Sequence, residues 1–139
     1  MKQILLIGSI AVIALFYSCE KKHFDTTASI KITLYTCKNP VISGDQVNIC
    51  FDSLLTESRC PIYADCIWRG FAAGKFSFSA NGKSHSIRLS EFAVDGMFRK
   101  DTILAGYKIE FIDLEPYPGT VSEPVPADKI KAEIKITKL

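Results

Sequence analysis

The sequence holds few of the residue types that catalysis usually needs. Histidine is nearly absent: 139 residues contain two, His23 and His85. Neither stands in a pattern that marks a base poised beside a Ser or Cys, which argues against a hydrolytic triad. No C-x-x-C pair occurs, so a zinc ribbon and a redox-active dithiol both lack their close pair of thiols. A glycine-rich phosphate loop is missing as well. Charge of one sign is also missing: 17 Lys and Arg stand against 15 Asp and Glu. The resulting net +2, without a clustered basic face, gives no sign of nucleic acid as a partner. Carboxylates do occur, at Asp52, Glu57, Asp65, Asp113 and Glu115, but they are dispersed. A pair suited to glycoside hydrolysis is not marked. The expectation is a non-enzyme with no cofactor and no metal.

Long apolar runs are limited to one. Residues 4–17 form an uncharged stretch of 14 residues behind Lys2. As a helix it would be about 21 Å long, short of the roughly 30 Å hydrocarbon core. The length suits the apolar region of a removed signal peptide. The stretch ends Phe16-Tyr17-Ser18-Cys19. A small residue before Cys resembles the bacterial lipobox, in its looser form with Phe16 and Tyr17 in place of Leu and a small residue. That resemblance implies lipidation of Cys19, removal of residues 1–18, and anchorage in the cell envelope outside the cytoplasm. Residues 19–28 are then a tether, and residues 29–139 a single domain.

Four further cysteines remain, Cys37, Cys50, Cys60 and Cys66. An even number in an exported chain points to disulfides. Three connectivities are possible, of which Cys60–Cys66 and Cys37–Cys50 are the local ones and are favoured for that reason. Residues 37 and 50 also flank Ser43-Gly44 evenly, as they would across a hairpin loop. Closing loops of about 7 and 14 residues contributes roughly 2.3 and 3 kcal/mol in the chain-entropy treatment.

The pattern is β almost throughout. Ile30, Ile32 and Leu34 alternate with Lys31, Thr33 and Tyr35 within residues 29–37. Residues 47–55 read as a second strand, 56–66 as a compact Cys-bounded segment, and 67–80 as one long strand or two short ones. Asn81-Gly82 is a type I′ hairpin signal joining 75–80 to 83–90. Asp95-Gly96 is a second turn candidate, and residues 102–114 hold another strand. Residues 115–127 carry four of the six prolines and read as an extended surface loop. Ile130, Ala132, Ile134 and Ile136 share one face of a last strand over 129–139. Six to eight short strands predict an all-β, disulfide-braced antiparallel β-sandwich of immunoglobulin-like form. A small β-barrel is the alternative.

The most distinctive local stretch is Ser58-Arg59-Cys60-Pro61-Ile62-Tyr63-Ala64-Asp65-Cys66-Ile67-Trp68-Arg69-Gly70. It resembles a family of small exported bacterial domains, many of them lipoproteins, with the pattern S-R-C-P-x₄-C-x-W-x-G. The later Leu114-Glu115-Pro116-Tyr117-Pro118 is similar to that family's L-x-P-x-P stretch. The resemblance covers roughly residues 45–139 and implies a β-sandwich-like domain with Cys60 and Cys66 as a unit. It implies no particular activity.

Two readings of this segment compete. In a structural one, Trp68 opens a strand and packs over the disulfide, Gly70 makes room for it, and Arg59 bonds loop carbonyls through its fork of donors. In a functional one, Arg59, Trp68 and Arg69, with Tyr117, form an exposed recognition patch. The expected function is a membrane-anchored binding domain for a protein, peptide or glycan. Alternatives are a peptidase inhibitor presenting Arg59 on a rigid loop, a structural envelope component, and a carboxylate-dependent glycosidase.

Overall fold

The structure is a computed structural model and describes residues 25–119 and 124–139. Cys19 and most of the expected tether lie outside the described residues. Among the described residues ten strands follow in chain order. They are β1 Thr27–Thr33, β2 Cys37–Lys38, β3 Val41–Ile42, β4 Asp45–Gln46 and β5 Asn48–Glu57, then β6 Ala72–Ala80, β7 Lys83–Ser90, β8 Asp101–Leu104, β9 Tyr107–Glu115 and β10 Lys131–Lys138. They make two four-stranded antiparallel sheets, ordered β1-β10-β9-β8 and β2-β5-β6-β7, with a small β3-β4 ribbon beside them. Among the described residues the sheets do not close into a barrel.

The core follows from the period-two pattern. Ile32, Ile109, Phe111, Ala132, Ile134 and Ile136 are buried on one sheet. Ile49, Phe51, Phe76, Phe78, Ile87 and Leu89 are buried on the other. The two sets meet through edge-to-face rings, Phe76 on Phe111 at 6.0 Å and Phe78 on Tyr107 at 5.7 Å. Within one sheet, Phe51 stacks on its cross-strand partner Phe76 at 4.9 Å.

Three local differences from the sequence pattern have physical causes. The alternation of Tyr107, Ile109 and Phe111 would carry Asp113 inward. A bulge opposite Glu133/Ile134 resets the register, so Leu114 is buried and Asp113 turns outward. The stretch 102–114 is two strands, folded at Ala105-Gly106, where both residues have positive φ (52° and 83°). Ala in that conformation gives no sequence signal, unlike Asn81-Gly82, which turns as its chemistry demands with φ of 53° and 73°. Finally, the first strand stops at Thr33, because Tyr35 takes a positive φ of 63° and carries the chain across to pair with Phe51.

The long strands give the domain two ends. The chain enters at one: Asp25 O accepts from Ser43 N–H and Thr26 O from Lys138 N–H. Tyr107 faces Lys138 at this end, while Glu115 faces Lys131 at the other. Nine residues of β9 separate them by roughly 25 to 30 Å.

Candidate functional site

The far end is built on the Cys-bounded segment. Ser58 N–H donates to Phe71 O and Cys60 N–H to Arg69 O, extending the β5-β6 ladder past both strands. Disulfide Cys60–Cys66 then closes the loop, and Ala64 N–H donates to Pro61 O in a turn at its tip. The second disulfide, Cys37–Cys50, joins register partners of β2 and β5. These are the local pairings, and such bonds point to an extracytoplasmic domain. Gly70 is demanded by the backbone: its φ is +65°, and a Cβ there would lie 1.7 Å from Ser58 O.

Arg59 follows the structural reading, bonding carbonyls through its fork, and not the exposed recognition-patch reading. Its side chain is 3% exposed. Nε donates to Glu57 Oε1 at 2.9 Å and Nη2 to Glu57 Oε2 at 2.5 Å, a two-pronged pair. Nη1 donates to Glu91 Oε1 at 3.1 Å and to Leu114 O at 2.8 Å, and reaches Asp113 Oδ1 at 3.5 Å. Nη2 also meets Pro116 O at 3.3 Å, and the Tyr117 ring lies 4.7 Å from Cζ. Burial works to lower the Arg59 pKa; the Glu57 hydrogen bond and the charges of Glu57, Glu91 and Asp113 outweigh it, and the net shift is upward. The guanidinium is charged, satisfied and turned inward. The inhibitor reading has Arg59 exposed on the loop, whereas its side chain is buried.

The two stretches singled out in sequence are therefore one structure. The S-R-C-P arginine holds the carbonyls of Leu114 and Pro116, some 55 residues away. Ile62 N–H donates to Pro118 O, and the Tyr63 ring lies against Gly119.

Trp68 is 60% exposed and begins no strand; β6 starts at Ala72. The room made by Gly70 is taken by the Ser58 carbonyl, not by the indole. Arg69 is exposed and lies over the Phe92 ring at 4.4 Å. Tyr117 is partly exposed, between Arg59 and solvent. Of the four predicted binding residues, Trp68, Arg69 and Tyr117 reach the surface and Arg59 is buried, under the Tyr117 ring. Sequence reasoning missed Ile62, Tyr63 and Ile67, which are largely exposed alongside Trp68. Four large apolar side chains in seven residues of a braced loop was the signal available. Also missed were the partners Glu57, Glu91 and Asp113, whose roles depend on long-range contacts.

A cleft of about 240 Å³ opens beside this loop. Leu54, Leu114, Pro116, Tyr117 and Ile130 line it, and its charged members are Glu57 and Glu115. The carboxylates considered for hydrolysis divide up: Glu57 and Asp113 share Arg59, Glu115 pairs with Lys31, and Asp52 accepts from Ser77. His85 lies on β7 opposite Phe78. Among the described residues no group of three or more His, Cys, Asp or Glu is placed to hold a metal ion.

The end where the chain enters has a polar node of opposite design. Asp45 Oδ2 accepts from Tyr107 Oη and from Lys138 Nζ, each at 2.8 Å. The Lys138 hydrogen bond, then that of Tyr107, holds the Asp45 carboxyl below its ordinary range. Burial, then the bond to Asp45, pushes the Tyr107 hydroxyl up.

Compared with known proteins, the chain matches no family model, no curated protein and no solved structure.

Proposed function

We propose that the protein is an exported bacterial lipoprotein, anchored through Cys19, whose immunoglobulin-like β-sandwich binds a partner and catalyses nothing. One observation carries the binding role. Ile62, Tyr63, Ile67 and Trp68 stand in solvent on a loop fixed by a disulfide, by Gly70 and by Arg59 beneath it. Apolar side chains gathered on one rigid loop mark interaction sites more often than singly scattered ones do, and Trp and Tyr are frequent anchors.

Export is supported by the apolar run at 4–17, by Ser18-Cys19, and by two disulfides. Residues 19–24 extend at most about 20 Å. They join the domain at the end opposite the loop, so on this reading the loop faces away from its own membrane. Arg59 joins the S-R-C-P and L-x-P-x-P stretches, the two that carry the family resemblance.

Crosslinking in intact cells, followed by affinity capture and mass spectrometry, tests the proposal. A partner captured by wild type and lost with folded Trp68→Ala supports it. Equal capture by Trp68→Ala, or none above background, contradicts it. The anchor is tested separately: Cys19→Ala should leave the membrane fraction or stall in processing, and unchanged fractionation would refute lipidation.

A further inference from the structure

Between β7, β8 and the segment joining them lies a groove of about 270 Å³. Two arginines line it, Arg88 from β7 and Arg99 from the joining segment, both exposed to solvent. Ser86 and Thr102 add hydroxyls, and Leu89 and Met97 belong to its apolar wall. The backbone fixes both arginines. Arg88 stands in the β6-β7 ladder opposite Lys75. Arg99 is bridged to Leu89, with Ser90 N–H donating to Arg99 O at 2.9 Å, and the next carbonyl, Lys100 O, accepts from Phe111 N–H on β9.

The two guanidiniums are uncommitted, unlike that of Arg59. Arg88 rests on the Phe98 ring, its Cζ 4.9 Å from the centre, and Phe98 meets Phe71 edge to face at 5.6 Å. A ring face orients a guanidinium and leaves the N–H donors at its rim open. Among the described residues neither arginine side chain has a hydrogen bond or a carboxylate partner. The surrounding charges are already spoken for. Residues 72–104 hold five cations, Lys75, Lys83, Arg88, Arg99 and Lys100, and three carboxylates, Glu91, Asp95 and Asp101. Glu91 turns to Arg59, Asp101 pairs with Lys108, and Lys100 pairs with Glu110. Lys75, Lys83, Arg88 and Arg99 remain against Asp95, which does not line the groove. On the neighbouring β5, Asp52 accepts from Ser77.

We infer that this groove binds a phosphomonoester, with Arg88 and Arg99 as its forked donors. One carboxylate satisfies one guanidinium, as Glu57 does for Arg59 through both of its oxygens. Two open guanidiniums in one groove match a group with three acceptor oxygens and about two negative charges. The hydroxyls of Ser86 and Thr102 are further donors on the same walls, and the apolar wall suits the organic part of the ester. A phosphodiester headgroup of a membrane lipid offers one charge and two free oxygens, a poorer match. The site shares no residue with the Trp68 loop and does not depend on the reading given to that loop.

Purified protein is titrated with phenyl phosphate and followed by the ¹H–¹⁵N shifts of its backbone amides. Saturable shifts are expected at residues 86–89 and 97–102, weakened by added NaCl. Benzoate carries the same ring and one charge, and should bind about five-fold more weakly. Arg99→Gln should raise the phenyl phosphate Kd by about five-fold while melting like wild type, since its side chain holds nothing else. Arg88→Lys and Arg99→Lys keep the charge and lose the fork, so each should weaken binding as well. Unchanged binding in these variants would overturn the inference. So would equal binding of benzoate, shifts confined to residues outside the groove, or no shift at millimolar phenyl phosphate. Shifts produced only by phosphatidylglycerol vesicles would replace it with a membrane-contact surface.

Discussion

The two ends of this domain each centre on one ion, and the two ions are used differently. At the end where the chain enters, Asp45 gathers Tyr107 and Lys138 on a single oxygen, close to solvent. At the loop end, a buried Arg59 gathers three carboxylates and two carbonyls. Water competes for the first arrangement and screens it. In the second the guanidinium itself is nearly out of water, at 3% exposed, while Glu57 and Asp113 stay partly exposed; its donors must be matched, and removing it would leave the mostly covered Glu91 without its cation. The Asp45 node trims an end already held by β1, β9 and β10. The Arg59 node is what joins a loop, a strand end and a proline-rich turn that share little hydrogen-bonded ladder.

The contrast can be broken by substitution, and the loop end should give the largest effects. Arg59→Met should cost about 3–5 kcal/mol, the range for breaking a buried pair by removing one partner. Gly70→Ala should cost about 3 kcal/mol or more, because the methyl meets the Ser58 carbonyl and the backbone has positive φ. Both are read from urea denaturation.

The two disulfides sharpen the comparison further. Replacing Cys37 and Cys50 by Ser should cost up to about 3 kcal/mol and leave the loop end as it was. Replacing Cys60 and Cys66 should cost less, about 2 kcal/mol, yet loosen the segment that carries Trp68. Hydrogen exchange of residues 60–70 separates the two: faster exchange is expected only in the second variant.

The smallest effect belongs to Asp45. Its folded pKa lies below the unfolded value, so its contribution is present above the ordinary Asp range and is lost as pH falls through the folded pKa. Wild type should therefore lose stability below about pH 4 more steeply than Asp45→Asn does. Parallel curves from thermal melts across that range would refute the assignment.

Much of the fold was legible because alternation and turn chemistry are local. Ile32, Ile109, Ile134 and Ile136 are buried as their spacing requires, and Asn81-Gly82 turns where it should. Ala105-Gly106 was hidden because Ala carries no turn preference. Leu114 was hidden because a bulge is a matter of two strands and not of one. In the candidate site the disulfide loop could be read, and so could Arg59 bonding carbonyls, but its carboxylate partners could not. An arginine before a Cys-bounded loop is equally suited to face water or carboxylates, and Glu91 and Asp113 lie 32 and 54 residues further along the chain.

The central claim is a division inside one motif: Arg59 holds the loop end together from within, and Trp68 stands outward in solvent. Urea denaturation of Arg59→Met and Trp68→Ala, followed by circular dichroism, tests it most directly. The account predicts a loss of about 3 kcal/mol or more for the first and a change within about 0.5 kcal/mol for the second. Comparable losses in both, or a larger one for Trp68→Ala, would contradict it.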